Sequence, residues 1–295
     1  MTPDRTDAAA VALFESAFQH AKRVWVWSFV TEFVTLLLTV GAVFTEGAWT
    51  VALMLLVIGL LGVNVLLKLR RRGVLEQAEA LRTRHLLAYG LGERLTEHDV
   101  QAYGRSFPAA VRTLARQRPP RTQPYYDTAG TPGPANLLAR LHESAFYSAE
   151  MANQAKGFYV WMVTVPALLF ALALSGTALL DRDQGFDADV SQVMQAAVAL
   201  ISSLGLIETA LTYAGLHRSL EVFLERLGNL RRGPPLSAAQ VTSLVWEYAV
   251  MQAHGQLTPD RLWDRHGARI QDDWTRCEAD LRADLARRAS GQPTG

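Results

Sequence analysis

Cysteine is nearly absent: Cys277 stands alone in 295 residues. One thiol excludes an internal disulfide framework and a cysteine-rich zinc site, and it suits a reducing compartment for the water-exposed parts. An excess of either charge is also missing. Lys and Arg number 29 against 28 Asp and Glu, a formal net charge of +1, so nothing pulls the chain as a whole toward nucleic acid. The common catalytic signatures are missing too. There is no GxxxxGK phosphate loop, no GxGxxG after a strand and no HExxH, and the seven histidines are scattered without ligand spacing. Asp260, Asp264, Asp272 and Asp273 sit beside Arg261, Arg265 and Arg269 in a pattern that reads as the solvent face of a helix with i,i+4 ion pairs. The expectation is a protein that is not an enzyme and uses no cofactor or metal.

What is present is apolar, and it is segregated. Hydrophobic residues make up 49% of the chain and concentrate in four blocks: Val24 to Phe44, Trp49 to Leu67, Phe158 to Leu180 and Val190 to about Leu211. A helix needs about 20 largely apolar residues to cross a bilayer. The first three blocks meet that requirement. The fourth, with Gln192, Gln195, Ser202, Ser203 and Glu208, is marginal alone. The first block is too long for the apolar core of a signal peptide and follows a polar helix, so cleavage is not expected. Basic residues set the topology. Lys22, Arg23, Lys68, Arg70 to Arg72, Lys156, His217 and Arg218 flank one side of the blocks, whereas the turns near Glu46 and Asp181 to Asp189 are acidic. The positive-inside rule then places both termini in the cytoplasm of a multi-pass inner-membrane protein. Trp25, Trp27, Trp49, Tyr159 and Trp161 fall at span ends, where amphipathic rings favour the interface.

The blocks belong to a repeat. Glu15-Ser16-Ala17-Phe18 returns as Glu143-Ser144-Ala145-Phe146, Leu75-Glu76 as Leu220-Glu221, and Leu95-Thr96 as Leu236-Ser237. The unit is an amphipathic helix, a membrane hairpin and a cytoplasmic stem. The predicted fold is all-α: a tandem repeat of two transmembrane hairpins with long cytoplasmic helical stems. Its segments are an N-terminal amphipathic helix (1–23), a first hairpin and stem (24–115), a Pro/Gly linker (116–135), a second hairpin and stem (136–232) and C-terminal cytoplasmic helices (233–295).

Local signals place the helices. Asp7 is a candidate cap for a helix to Arg23, with Leu13, Phe14, Ala17 and Phe18 as its apolar stripe. The second span continues into a stem to Leu91, ended by Gly90 and Gly92, with Arg70, Glu76, Glu79 and Arg82 on its outer face. Thr96 with Asp99, Pro108, and Ser237 with Gln240 each open a helix. Thr258-Pro259-Asp260 begins the last one, which runs to about Arg288 with Leu262, Trp263, Ile270, Trp274 and Leu281 on its apolar side. Its charged face suits packing on the stems or on a second copy, so a homo-oligomer is expected.

Two sets of residues are candidates for function. Glu32 lies roughly 12 Å into the first span by helical rise, where a carboxylate costs on the order of 3 kcal/mol unless protonated, paired or wet. With Asn64, Gln192, Gln195 and Glu208 it reads either as the lining of a pore or as interhelical hydrogen bonding in a closed bundle. In the linker, Tyr125, Tyr126 and Asp127 are flanked by Arg118 and Arg121. They read either as a site that holds a base or a phosphate, or as tyrosines that pin the linker onto the stems.

Two membrane hairpins, each preceded by Glu-Ser-Ala-Phe and followed by a stem, resemble the SLATT group and its four-transmembrane relatives, bacterial membrane effectors associated with second-messenger nucleotide synthases of the SMODS type. The stretch from Tyr125-Tyr126-Asp127-Thr128 through Pro132-Gly133-Pro134-Ala135 to Glu143-Ser144-Ala145-Phe146-Tyr147-Ser148 carries the motif likeness, and the architecture matches over about residues 13–230. The resemblance implies a cell-suicide effector in anti-phage defence, in which a cytoplasmic signal, such as a cyclic nucleotide, makes the protein assemble or open and breach the inner membrane. A membrane-anchored scaffold that recruits a soluble partner is the competing expectation.

Overall fold

A computed structural model describes residues 5–43, 47–119, 125, 126, 130–180, 205–253, 258 and 260–289. Among them every regular element is a helix: α1 Arg5–Val43, α2 Ala48–Leu91, α3 Glu97–Ser106, α4 Ala109–Gln117, α5 Pro134–Leu180, α6 Leu206–Arg232, α7 Ala238–Ala253 and α8 Asp260–Ala289. One of these described helices, α2, is long and apolar enough to cross a membrane. Gln192, Gln195 and the acidic turn from Asp181 to Asp189 lie outside the described residues.

Amphipathic segments and apolar blocks are fused rather than jointed. The helix expected from Ala8 to Arg23 and the first apolar block form the single α1, which begins at Arg5, so Asp7 lies inside its first turn and does not cap it. An acidic side chain there still favours the helix dipole. In the same way α5 starts at Pro134, whose missing N–H costs nothing at a first helical position, and runs on through the third block.

The chain divides into two compact units, each gathered from several stretches. The first holds residues 1–20, 74–155 and 212–295, and the second holds residues 21–73 and 156–211. The boundaries follow hydropathy, not the linear repeat: the second unit collects the four apolar blocks. Helices α1, α2, α5 and α6 each contribute residues to both units.

In the first unit the core forms where apolar stripes meet. Leu137, Leu141, Ala145 and Ala149 line one side of α5 and pack with Leu86 and Leu87 of α2, Leu220, Phe223 and Leu227 of α6, and Val241, Leu244, Val245 and Tyr248 of α7. Each fully buried Leu or Phe adds about 2 kcal/mol of transfer free energy. Gly90 sits inside α2, where a Cβ would lie 2.6 Å from Leu137 Cδ1 and 3.0 Å from its Cα. Gly92, with φ +82°, follows the last residue of α2, as the glycine signal implies.

The repeat is visible in the caps. Thr96 Oγ1 accepts from Asp99 N at 3.1 Å while Thr96 N donates to Asp99 Oδ2. Ser237 and Gln240 repeat both bonds at α7, at 2.9 and 3.3 Å. The 141-residue offset that relates these caps also relates Phe107 to Tyr248, and both side chains are buried.

Helix α8 clamps this unit. Leu262, Ile270, Trp274 and Leu281 form its buried stripe, whereas Trp263, expected on that side, is largely exposed. Trp274 packs on Phe146 and His142 at 5.4 and 5.5 Å, and Tyr147 Oη donates to Gln271 Oε1 at 2.8 Å. Arg231 grips Glu278 with two bonds of 2.7 and 3.0 Å and also donates to His142 Nδ1 at 3.0 Å. Burial, and then Arg231, lower the His142 pKa to about 4, so this imidazole is neutral at pH 7. The apolar side of α8 is thus spent within its own chain.

The second unit is patterned the other way. Along α1 its buried positions are Ala21, Val24, Ser28, Thr35 and Ala42, all small or medium and several polar. Its large apolar side chains face outward: Trp27, Phe33 and Leu37 on α1, and Trp49, Leu55, Leu56, Ile58 and Leu66 on α2. Of the rings expected at span ends, Trp27, Trp49 and Trp161 are exposed, but Tyr159 is buried.

Candidate functional sites

The two candidate sets fall in different units. In the second unit, Glu32 and Asn64 are brought together. Positions 28 and 32 are one helical turn apart on α1, as are 64 and 68 on α2. Ser28 Oγ donates to Asn64 Oδ1. Asn64 Nδ2 donates to Glu32 Oε1 at 2.9 Å, and Lys68 Nζ lies 2.6 Å from the same oxygen. The result is a polar ladder with the carboxylate 9% exposed and the ammonium half-exposed. The carboxylate is paired and hydrogen-bonded, which removes most of the penalty that an isolated charge would carry among apolar helices. Ser28 was not singled out in the sequence, and Lys68 only as a basic flank of the second block; the i,i+4 spacing from Glu32 and Asn64 was the available signal. Further along α1 the hydroxyls of Thr31, Thr35 and Thr39 donate to the carbonyls four residues earlier, each at 2.8 Å. Glu208 is not part of this ladder: it is exposed in the first turn of α6, a favourable place for a carboxylate.

In the first unit the linker tyrosines are packed rather than presented. Tyr126 is buried and Tyr125 partly so. Their rings meet edge to face at 4.9 Å, and Tyr125 meets Phe14 at 5.2 Å. Tyr126 stacks on His85 at 6.2 Å, and His85 stacks on Tyr89 at 5.7 Å. Burial pushes the Tyr125 hydroxyl up to about 12 and the Tyr126 hydroxyl well above its ordinary value, so both are neutral phenols. Arg118 pairs with Glu15 at 3.3 Å, which joins a linker candidate to the repeat motif. Arg121 and Asp127 lie outside the described residues.

The other motif residues line the same interior. Phe18 lies under the Arg82 guanidinium at 5.9 Å, Glu143 is buried beside Arg140, and Phe146 packs on Trp274. Glu79 and Arg82, expected on the outer face of the α2 stem, turn inward. They pair at 3.0 Å, and Arg82 Nη2 donates to Tyr248 Oη at 3.4 Å. That hydroxyl donates to the Ser144 carbonyl at 3.1 Å and shares a 2.7 Å bond with Ser148 Oγ. No local pattern announces this network, because Tyr248 lies 166 residues from Arg82.

The structure therefore defines an all-α chain with one described helix fit to cross a membrane and buried polar networks in both units. Comparison with known families, curated proteins and solved structures finds no match to it.

Proposed function

We propose that this chain is a multi-pass effector of the bacterial inner membrane, of the SLATT-like kind, that permeabilises the bilayer on a cytoplasmic signal. The observation that carries the reading is the reversal of patterning along shared helices. Large apolar side chains face outward in the second unit over a polar ladder, and the same helices then contribute to a water-type core in the first unit. Helices common to both units are the mechanical route by which an event in the cytoplasmic unit would reach the bilayer. Four spans, cytoplasmic termini and assembly of several copies complete the proposal, with the Glu32 ladder as the closed state of the polar path. The test is dye or ion leak from liposomes holding the purified chain, with and without a panel of cyclic di- and oligonucleotides. Ligand-dependent leak supports the reading; folded protein that never leaks sinks it.

A specific observation favours the scaffold as second reading. Trp246 and Val250, one turn apart on α7, are more than half exposed side by side in the first unit. A scaffold predicts no leak under any condition and a stable soluble partner whose binding is lost in Trp246→Asp.

A further inference from the structure

We propose that Arg140, with His85 and Tyr89, forms a buried subsite for the phosphate group of a small molecule. The inference deepens the reading above by naming the chemistry of the signal.

Two arginines of this unit lie over separate pairs of aromatic rings, Arg82 over Phe18 and Tyr248. Arg82 has a carboxylate at 3.0 Å, from Glu79. Burial works most strongly against its charge, but Glu79 together with Tyr248, Tyr125 and Tyr126 outweighs it, and its pKa is raised. Among the described residues no carboxylate is bonded to Arg140. Its guanidinium lies over the rings of Tyr89 at 4.3 Å and Tyr126 at 5.2 Å. Its Nε donates to the neutral amide of Asn136 at 3.0 Å, and it is within hydrogen-bond reach of the Tyr89 hydroxyl. Glu143, buried nearby, favours its charge through the field, after both tyrosines. The residue is 5% exposed, and its Nη1 is buried with no hydrogen-bond partner among the described residues. Burial then lowers its pKa, unusual for a guanidinium.

A buried cation with an unused donor is costly if nothing fills it. A second orphan lies over the same two rings. His85 is 2% exposed, stacks on both Tyr89 and Tyr126, and its Nδ1 has no partner among the described residues. Burial, then Arg140, lower its pKa to about 4. It is a neutral imidazole, able to donate one N–H but not to supply charge.

One forked cation, one imidazole N–H and one phenol offer donors to an oxyanion. A phosphate group, with at least two free oxygens spread tetrahedrally, uses that set more fully than a planar carboxylate does. The subsite is closed: Nη1 is fully covered and the Tyr126 ring lies on the guanidinium. Residues 125 and 126 belong to no helix, so a phosphate gains Arg140 by displacing Tyr126 from its aromatic contacts. Binding and a change in the first unit are then one event.

The test uses the full chain in detergent or nanodiscs and reads thermal unfolding and titration calorimetry. The probes are inorganic phosphate, pyrophosphate, adenosine monophosphate and cyclic dinucleotides, each against chloride at matched ionic strength. The expected result is a saturable rise in Tm of a few degrees with a phosphate-bearing probe. Response to the nucleotides at lower concentration than to inorganic phosphate assigns the group to a nucleotide; the reverse order assigns it to free phosphate. Arg140→Lys keeps the charge but loses the fork, and weakens binding at least about tenfold. Arg140→Met abolishes the response and leaves the unliganded Tm close to wild type, because an unpaired charge is removed along with its packing. No phosphate-dependent shift in the wild type, or a shift that survives both substitutions, overturns the subsite. Binding without leak leaves the subsite standing and removes the pore; leak without binding does the reverse.

Discussion

The two units solve opposite problems with the same helices. In the first, large apolar side chains such as Leu137, Leu141, Leu220 and Leu227 are inside, the arrangement water imposes through the hydrophobic effect. In the second, Leu55, Leu56 and Leu66 are outside, and Ser28, Thr35 and Asn64 are inside. Lipid tails give no reward for burying leucine between helices, so small side chains and hydrogen bonds hold such helices together instead. The lesson is that a helix can reverse its pattern of buried and exposed side chains partway along without changing its backbone.

Substitutions of one residue type in both units break or sharpen this contrast. Leu141→Ala should cost about 3 kcal/mol of stability, read as a lowered denaturation midpoint in detergent, whereas Leu66→Ala should change it by less than about 0.5 kcal/mol. Equal losses would mean that the second unit is packed like the first. Next, Leu56→Asp should impair membrane integration by on the order of 3 kcal/mol, scored by carbonate extraction. Val222→Asp, at an equally exposed site in the first unit, should leave integration intact.

Acid sharpens the contrast further. His85 and His142 both have folded pKa values lowered to about 4 from 6.5 by burial first. The unfolded chain then binds more protons between those values, so stability is full above the unfolded pKa and falls as pH drops toward 4. Each histidine should account for about 2 kcal/mol lost between pH 7 and pH 5. Denaturation midpoints at the two pH values should converge in part for His142→Gln; an unchanged slope would mean that the imidazole is solvated. The smallest effect tests the repeat itself. Thr96→Ala and Ser237→Ala should each cost about 1 kcal/mol, and a large disparity between them would break the equivalence of the two capped helices.

Much of the helical order was legible. The caps at Thr96 and Ser237 are local hydrogen-bonding motifs four residues long, and the stripes Leu13-Phe14-Ala17 and Leu137-Leu141-Ala145 follow the 3.6-residue period. The site was legible only in part. Glu32 and Asn64 stood out because polar groups in apolar runs need partners, but the partners, Ser28 and Lys68, depended on which helix faces met. Tyr125 and Tyr126 stood out as well, although their burial against His85 and Phe14 does not follow from a linker rich in Pro and Gly. Glu79 and Arg82 were placed on the wrong face. A charged i,i+3 pair looks the same in sequence whether it faces water or a tyrosine from another helix.

By itself, then, the sequence determined what depends on near neighbours along the chain: helix identity, caps, the glycine stop at Gly92, the apolar blocks and their repetition. These rest on interactions within one or two turns, and the order of residues already contains them. The tertiary structure decided what depends on residues far apart. It sorted the blocks into one unit and the stems into another, closed the Ser28–Asn64–Glu32–Lys68 ladder, turned Arg82 toward Tyr248, and buried the Arg140 Nη1 with no hydrogen-bond partner among the described residues. Burial raises the energetic weight of each polar group, and burial exists only once distant segments have packed.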